Sequence, residues 1–347
     1  MMIVIFATLI ERVIPMRIGI LDQAPIAKGN TATGALQNAV ETAKLADELG
    51  YHRMWMAEHH NLRTLASSAP EITASFLAAK TSRLRIGTGG VMMMHYAPYK
   101  VAEVFKTLSA LAPGRIDFGA GRAPGGDHRS TQALAVGRPY IPTDLYDKFH
   151  TILSLIGESP IEDSLHDDIV ATPADIVLPE AWLLGSTGNS AIRTGRLGVG
   201  YSFAQFFNGE MSKEIFDAYR SNFMPSAFME KPVISVTYSV SVAETREEAE
   251  YIALPVDLGR LFLMKGRIQQ PLAPEEARDY PLSEVDRSFI ESNRERGLHL
   301  VGTAADIADQ LRADQEQYGF DEVMFSASAP SQEIRLNQLR LLAKELL

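Results

Sequence analysis

The amino-acid sequence predicts a closed (β/α)8 TIM barrel, an α/β fold built as one domain over residues 16–347. Three observations carry this. Eight short segments with strand character alternate with segments whose apolar residues recur at helical spacing, the pattern of a parallel sheet wrapped in helices. No G-x-G-x-x-G follows the first strand, where an open doubly wound nucleotide-binding sheet would carry one. The chain has 347 residues, 46% of them hydrophobic and 22% charged, which suits a barrel of roughly 250 residues with insertions.

The elements follow in order. Met1 to Ile10 is apolar apart from Thr8, but is too short to span a bilayer and lacks the basic flank of a signal peptide. Residues 1–15 read as an upstream extension, with Met16 as the expected start. Arg17–Leu21 is the first strand. Leu36, Ala39, Val40, Ala43, Ala46 and Leu49 share one helical face, with Thr31 or Thr33 as cap and Gly50 as stop. His52–Ala57 is the second strand, Pro70 opens a helix through Lys80, and Leu84–Val91 is the third strand.

Pro98 opens the next helix, which runs to Leu111 before Pro113-Gly114; Arg115–Gly119 is the fourth strand. After glycines and prolines at 124–126 and 137–142, a helix spans Leu145–Ile156. Residues 159–179 read as an acidic loop. Ala181–Gly185, Val199–Ala204 and Val233–Val242 are strands five to seven, with helices at Asn189–Leu197, Lys213–Asn222 and Thr245–Ala253 following them. The polar, proline-punctuated stretch 257–297 reads as a helical insertion outside the core and a candidate lid. Thr303–Tyr318, Glu322–Ser326 and Glu333–Leu346 supply the last helix, strand and helix.

Composition excludes several functions. A formal charge of −10 argues against nucleic acid, which needs a basic face. The absence of cysteine removes disulfides, thiolate zinc sites and thiol nucleophiles, and is compatible with a cytoplasmic location. No membrane partner is expected.

In such barrels the chemistry lies where strands end at the C-terminal mouth. Glu58, His59 and His60 form the densest titratable cluster of the chain, at the end of the second strand. A histidine exchanges protons near neutral pH and a neighbouring carboxylate can fix its tautomer. The bland alternative is a carboxylate paired with a barrel arginine. Adjacent residues on an extended chain point to opposite sides, so His59 and His60 are poorly placed to share a metal, and no metal site is expected.

Ser186, Thr187, Gly188, Asn189 and Ser190 join the fifth strand to a helix, where free N–H groups and the helix dipole suit a phosphate. They could equally be a plain helix cap. Arg122 follows Phe118-Gly119-Ala120-Gly121 and could grip a phosphate or carboxylate, or form a surface ion pair. Gly89 ends the third strand beside the mouth. Met92, Met93, Met94, Tyr96, Phe203, Phe206 and Phe207 could line a pocket for a small hydrophobic substrate, or could be core.

Three stretches together carry a resemblance. They are Ala46-x-x-Leu49-Gly50-Tyr51-x-x-x-Trp55-x-x-Glu58-His59-His60; Pro98-x-x-Val101-Ala102-Glu103 through Pro113-Gly114-Arg115-Ile116-Asp117-Phe118-Gly119 to Gly121-Arg122-Ala123-Pro124-Gly125; and Leu184-Gly185-Ser186-Thr187 with Ala191 and Gly198 beyond. In order and spacing they resemble the bacterial-luciferase-like flavin monooxygenases. The match is close from Met16 to about Phe207 and looser afterwards, through Val301-Gly302-Thr303 and Gly319-Phe320-Asp321-Glu322.

The resemblance implies a barrel that binds reduced FMN, or deazaflavin F420 in one branch, at the mouth. It implies oxidation of an organic substrate by O2, with a separate flavin reductase as partner. By that resemblance His59 matches the catalytic histidine, with Glu58 and His60 beside it. Arg122 matches the flavin-phosphate arginine, and Ser186 to Asn189 the phosphate loop. The thiol that luciferase places beside the flavin falls on Gly121, and Tyr96 stands where close relatives often carry histidine. F420-dependent hydride transfer and a non-catalytic flavin-binding barrel remain alternatives. A homodimer is an open expectation.

Overall fold

The computed structural model describes residues 16–136, 145–161, 165, 166 and 168–347. The suspected extension at 1–15 and the excursion at 137–142 therefore lie outside the described residues. From the first strand the order is β1 (Arg17–Asp22), α1 (Ala32–Leu49), β2 (Arg53–Met56), α2 (Pro70–Ala78), β3 (Arg85–Thr88) and β4 (Val91–Met92). A 3-10 turn at Met93–His95 leads into α3 (Pro98–Leu111), β5 (Ile116–Gly121), α4 (His128–Leu134), α5 (Leu145–Gly157), β6 (Glu180–Gly185) and α6 (Gly188–Arg196). The chain continues through β7 (Gly200–Phe203), α7 (Gln205–Asn208), α8 (Lys213–Ser221), β8 (Ile234–Val242) and α9 (Arg246–Met264). It closes with α10 (Pro274–Arg278), α11 (Glu284–Glu295), β9 (His299–Gly302), α12 (Ala304–Tyr318), β10 (Glu322–Ser326) and α13 (Gln332–Leu346).

The strands pair in parallel in the order β10-β1-β2-β3-β5-β6-β7-β8, and β8 returns to β10. An eight-stranded parallel barrel is thereby closed, as the sequence predicts. Alternation along each strand sorts the side chains. Ile18 and Ile20 on β1, Met54 and Met56 on β2, and Val236, Tyr238 and Val240 on β8 pack outward against the helices in the main apolar core. Leu21, Trp55, Trp182 and Met324 belong to a second cluster inside the barrel.

The N-terminal end of the barrel is plugged by charge. Arg53, 1% exposed, donates from Nε to Glu322 (2.9 Å) and from Nη2 to Glu180 (3.1 Å), and its Nη1 bonds Asp117. Its guanidinium also faces the Trp182 ring at 4.6 Å. Arg85 donates to the other Asp117 oxygen at 2.6 Å, and Trp55 Nε1 to Asp117 Oδ2 at 2.8 Å. Burial alone would raise the Asp117 pKa. The two arginines and the indole N–H outweigh it and hold the carboxyl below its ordinary value.

Three points of the sequence reading need correction. The third strand breaks at Gly89-Gly90, whose peptide is cis, into β3 and β4. A Cβ at Gly90 would sit 2.8 Å from the Gly119 carbonyl oxygen, so the neighbouring strand passes too close for a side chain. The helix expected to stop at Ala253 runs on to Met264 with Pro255 inside it. Proline removes one backbone hydrogen bond there, but Leu258, Leu261 and Phe262 extend the buried face beyond it.

The 257–297 stretch, expected as a helical insertion outside the core, packs a separate cluster apart from the barrel core: Leu258, Leu261, Phe262 and Ala277 are buried against Leu272, Tyr280 and Phe289. Finally, β9 was not anticipated. Its four residues add to the overhang of β8, His299 opposite Ser239 and Gly302 opposite Val242.

This excursion bonds to loops at the C-terminal end of the barrel. Arg260 on α9 donates to the carbonyls of Phe206 (2.8 Å) and Leu298 (3.1 Å), Gln205 donates to the Arg296 carbonyl, and Lys28 pairs with Glu276 on α10. Among the described residues, no helix is long and apolar enough to cross a membrane.

Candidate functional site

Three loops at the mouth are interlocked around Glu58. This carboxylate is fully buried, so each oxygen needs partners. Oε2 accepts from the Met92 backbone N–H at 2.9 Å, and Oε1 lies 2.7 Å from both His60 Nε2 and the Tyr96 hydroxyl, which donates to it. The loop after β5 closes the set. His60 N–H donates to the Gly125 carbonyl (2.8 Å), His95 Nε2 lies 2.7 Å from the Pro124 carbonyl, and Asn61 bonds Asp127, the cap of α4. Gly125 has φ +67°, and a Cβ there would come within 3.0 Å of Met92 and of the Glu58 carbonyl. Only glycine allows this close approach.

The Glu58 carboxylate thus engages His60 and not His59. Extended residues two apart share a side, which explains the choice. His59 is held separately: its N–H donates to the Ser67 carbonyl at 2.8 Å. Burial lowers the His59 pKa, with the Gly125 carbonyl and Glu58 pulling less strongly the other way. The imidazole is therefore neutral at pH 7, with one nitrogen able to accept a proton. Tyr96, expected to meet substrate, spends its hydroxyl on Glu58 and ties the loop before α3 to the histidines.

Beside these loops, the inner faces of β3 and β5 carry glycines, and most of them are covered closely by neighbouring groups. Trp55 stands opposite Gly87, Gly87 opposite Asp117 and Gly119 opposite Trp182, so alternation puts Gly89, Gly119 and Gly121 on the inner face. A Cβ at Gly89 would lie 2.6 Å from Leu21 Cδ1, whereas one at Gly121 would meet nothing nearer than Met92 Sδ at 3.4 Å. The edge-on pair Trp55 and Trp182, centroids 5.4 Å apart, lies between this wall and the charged plug.

The turn after β6 leaves backbone donors facing outward. Thr187 caps α6 and makes a reciprocal capping box with Ser190. Ser190 is buried and its hydroxyl also meets Tyr201 at 3.0 Å, so this residue, expected to contact a ligand, is engaged in the turn itself. What stays available is backbone: the N–H groups of Gly188 and Asn189 have no partner among the described residues, and nothing lies within 4 Å of a Cβ built at Gly188. Ser186 lies in the same turn, half-buried.

Arg122 adds a side-chain donor. Its Nε is buried without a hydrogen-bond partner, while its guanidinium stacks 4.9 Å from the Tyr146 ring centre. Arg193, one turn into α6, stacks on the same ring at 4.6 Å. Two arginines and two unbonded helical N–H groups thus gather in one corner, donors of the kind that an anion accepts. Sequence reasoning missed Tyr146 and Arg193. The spacing of Arg193 four residues after Asn189 was a usable signal, but no local pattern places Tyr146 between two arginines.

The expected pocket divides. Phe206 packs with the inner cluster of Trp55 and Trp182, and Met92 is buried beside Glu58. Phe203 does not belong there: its ring is fully buried on the outer side of β7, 5.6 Å from Phe216 of α8. Met93 is likewise buried in the outer core, Met94 is half-buried, and Phe207 is 75% exposed. Among the described residues, no group of three His, Asp or Glu side chains is placed to hold a metal ion.

The comparison with known proteins now decides the family, because the luciferase-like monooxygenase model matches residues 16–322. The chain belongs to the luciferase-like monooxygenase family. It is 39% identical to the Bacillus subtilis protein YceB over 89% of this chain and 93% of that one. It is 37% identical to the N-acetyl-S-alkylcysteine monooxygenase of the same organism, over 85% of this chain and 88% of the relative. In structure it is similar to apo-MsnO8, with a TM-score of 0.86 and 32% identity over 96% of this chain and 98% of that one. Monooxygenase chemistry is thereby assigned to this luciferase-like barrel at the family level.

Proposed function

We propose that this luciferase-like protein is the oxygenating component of a two-component flavin monooxygenase. It takes reduced FMN from a separate reductase and uses O2 to oxidise a small organic molecule at the barrel mouth. The observation that carries the reading is the cradle: a buried Arg122 Nε without a partner, beside two unbonded N–H groups at the start of α6. A phosphate fits that donor set, and Gly121, where a Cβ would meet nothing nearer than 3.4 Å, leaves the inner face open for a flat ring. Two similar proteins support the choice of cofactor and partner. The oxygenating constituent of 3,6-diketocamphane monooxygenase, 18% identical with a TM-score of 0.69, is described in complex with FMN. A 25% identical relative is the oxygenase component of a flavin-dependent trigonelline monooxygenase.

In this reading Arg122, Gly188 and Asn189 hold the phosphate, with Ser186 and Thr187 shaping the turn. Gly121 admits the ring, while Gly89, expected beside it, is covered by Leu21 and Trp55. Reduced FMN supplies the electrons that activate oxygen. His59, kept neutral by burial, accepts or returns a proton at its imidazole, while Glu58 and His60 fix the loop that carries it. The 257–297 excursion, bonded to the loops after β1 and β7, excludes water from the mouth as a lid.

An F420-dependent secondary alcohol dehydrogenase shares the fold at 14% identity and a TM-score of 0.65, so one titration should separate the cofactors. Reduced FMN is expected to bind more tightly than F420, and oxygen uptake to depend on both FMN and substrate. Replacing His59 by Ala should lower turnover by about 100-fold or more. Tighter F420 binding would replace the cofactor, and full activity in His59→Ala would remove that residue from the chemistry.

A further inference from the structure

Met92 is a buried apolar side chain that joins no apolar cluster of the described residues. Register sets it opposite Gly121, as Val91 stands opposite Ala120. Val91 and Ala120 pack in the outer core, so alternation turns Met92 and Gly121 to the inner face. The residue is held from two sides. Its N–H donates to Glu58 Oε2 at 2.9 Å, and a Cβ built at Gly125 would lie 2.9 Å from its Cγ.

Its sulfur borders the open part of the mouth. At Gly87, Gly89 and Gly119 a Cβ would come within 2.6 Å of a neighbour, but at Gly121 the nearest atom is Met92 Sδ itself, at 3.4 Å. A thioether is soft and accepts an oxygen atom from peroxide that reaches it. Peroxide in bulk solution selects by exposure, which favours Met224 (61%) and Met264 (52%) over Met92 (8%). Peroxide formed in the mouth reverses that order, because there the sulfur of Met92 is at hand. The adjacent Met93 is fully buried in the outer core and is out of reach from either side.

We propose that Met92 is an oxidation site, and that its sulfoxide ends flavin binding when the protein turns over without substrate. This rests on the monooxygenase reading, which brings reduced flavin and oxygen to the mouth. O2 that takes two electrons and two protons from reduced FMN, with no substrate present, leaves as hydrogen peroxide, and the flavin is left oxidised. The O–O bond of the peroxide then breaks. One oxygen atom bonds to Sδ, the sulfur is oxidised by two electrons, and the other oxygen departs with both protons as water. The sulfoxide sets a polar oxygen at the edge of the space over Gly121 and weakens the fit of the ring. Coupled turnover delivers the oxygen to substrate and spares the sulfur, whereas idle turnover closes the site.

The test is peptide mass spectrometry of the full chain after repeated cycles with photoreduced FMN and air in the dark. Substrate is left out, and catalase and superoxide dismutase remove oxidants that escape. Met92 should gain oxygen about fivefold or more over Met224 and Met264, and added hydrogen peroxide without flavin should give the opposite order. FMN affinity, read from fluorescence, should fall about tenfold once Met92 is oxidised and return after treatment with methionine sulfoxide reductases A and B. Met92→Leu, a swap of similar volume, should keep its own starting affinity through the same cycles. The same order of oxidation in both arms, or an equal fall in affinity in Met92→Leu, would overturn the inference. FMN binding and oxygen uptake with Met92 intact would sink this inference alone, whereas a chain that never binds FMN would sink the cofactor reading with it.

Discussion

Both ends of this luciferase-like barrel place arginines among buried groups, and they treat them in opposite ways. At the N-terminal end, Arg53 is bonded from Nε and both Nη atoms to three carboxylates, and Arg85 closes the remaining side of Asp117. At the mouth, Arg122 keeps a buried Nε with no partner and rests on an aromatic face. Buried charge that is fully matched inside the protein serves the fold. Charge left partly unmatched is held at a cost to stability, and that cost is recovered when a ligand supplies the missing acceptor. The contrast separates what holds the barrel together from what the barrel offers to a ligand.

The largest expected effect breaks the closed end. Replacing Arg53 by Met leaves Asp117, Glu322 and Glu180 facing one another with Arg85 and Arg17 as their remaining cations. Removing one partner of a buried ion pair costs about 3–5 kcal/mol. Urea unfolding of the ligand-free variant should show a loss of that size or a failure to fold. A loss below about 1 kcal/mol, the range of exposed pairs, would show that the plug is not what closes the barrel.

The same substitution at the open end should behave differently. Arg122→Met removes no hydrogen bond at Nε from the ligand-free protein, so its unfolding midpoint should barely move. Binding of reduced FMN should weaken by about 10- to 100-fold, the range of a lost charged hydrogen bond of about 1.5–3 kcal/mol. Loss of stability with unchanged flavin affinity would turn the comparison around and make Arg122 a structural residue.

Much of this division was legible in the sequence. The helix at Pro98–Leu111 and the strand at Glu322–Ser326 have the boundaries that the pattern predicts, because proline and glycine punctuate them. Arg122 was visible from the small residues before it. The partner of Glu58 was within reach: alternation along extended chain, the same rule that argued against a shared metal, pairs Glu58 with His60 rather than His59. The hydroxyls of β8 were also in view, since Ser235, Thr237, Ser239 and Ser241 recur at every second residue, yet periodicity alone does not say which face looks into the barrel.

Other features could not be read locally. The plug joins residues 53, 117, 180 and 322, and nothing in the sequence near any one of them names the others. The helix expected to end at Ala253 continues past Pro255 because α10 and α11 pack against its buried face, which no local pattern shows.

A smaller effect tests the rim of the mouth, which is structural in its hydrogen bonding and functional in its position. Glu58→Gln keeps the shape but can offer an acceptor on only one side, so either the Met92 N–H or the Tyr96 and His60 pair meets an NH2 group instead. The expected loss is about 1–2 kcal/mol in unfolding free energy, between the two arginine variants. Turnover should fall with it, because the loop carrying His59 loosens. Tyr96→Phe should reproduce a part of that loss. If Glu58→Gln lowers turnover with no change in stability, Glu58 acts on the chemistry directly and not through the loops.

The last expected effect is a pH dependence centred on the closed end. Burial, reinforced by Arg53, lowers the His52 pKa to about 4 from its ordinary 6.5, with Glu322 opposing at 3.8 Å. The folded protein therefore keeps this imidazole neutral where the unfolded chain has already taken up a proton. Stability should decline as pH falls from about 6.5 towards 4, and this contribution should then level off, since both states are protonated. Asp117 acts in a lower window. Its folded pKa lies below the ordinary 3.8, so its contribution is complete above that value and is lost only as pH falls through the depressed one. Unfolding curves at pH 7, 5 and 3 separate the two. His52→Phe should shrink the loss between pH 7 and 5, leaving the His59 share, and leave the loss at pH 3 in place. If the slope between pH 7 and 5 survives undiminished in His52→Phe, the titrating group lies elsewhere, and the neutral imidazole at the edge of the plug is not the source of acid sensitivity at this end of the barrel.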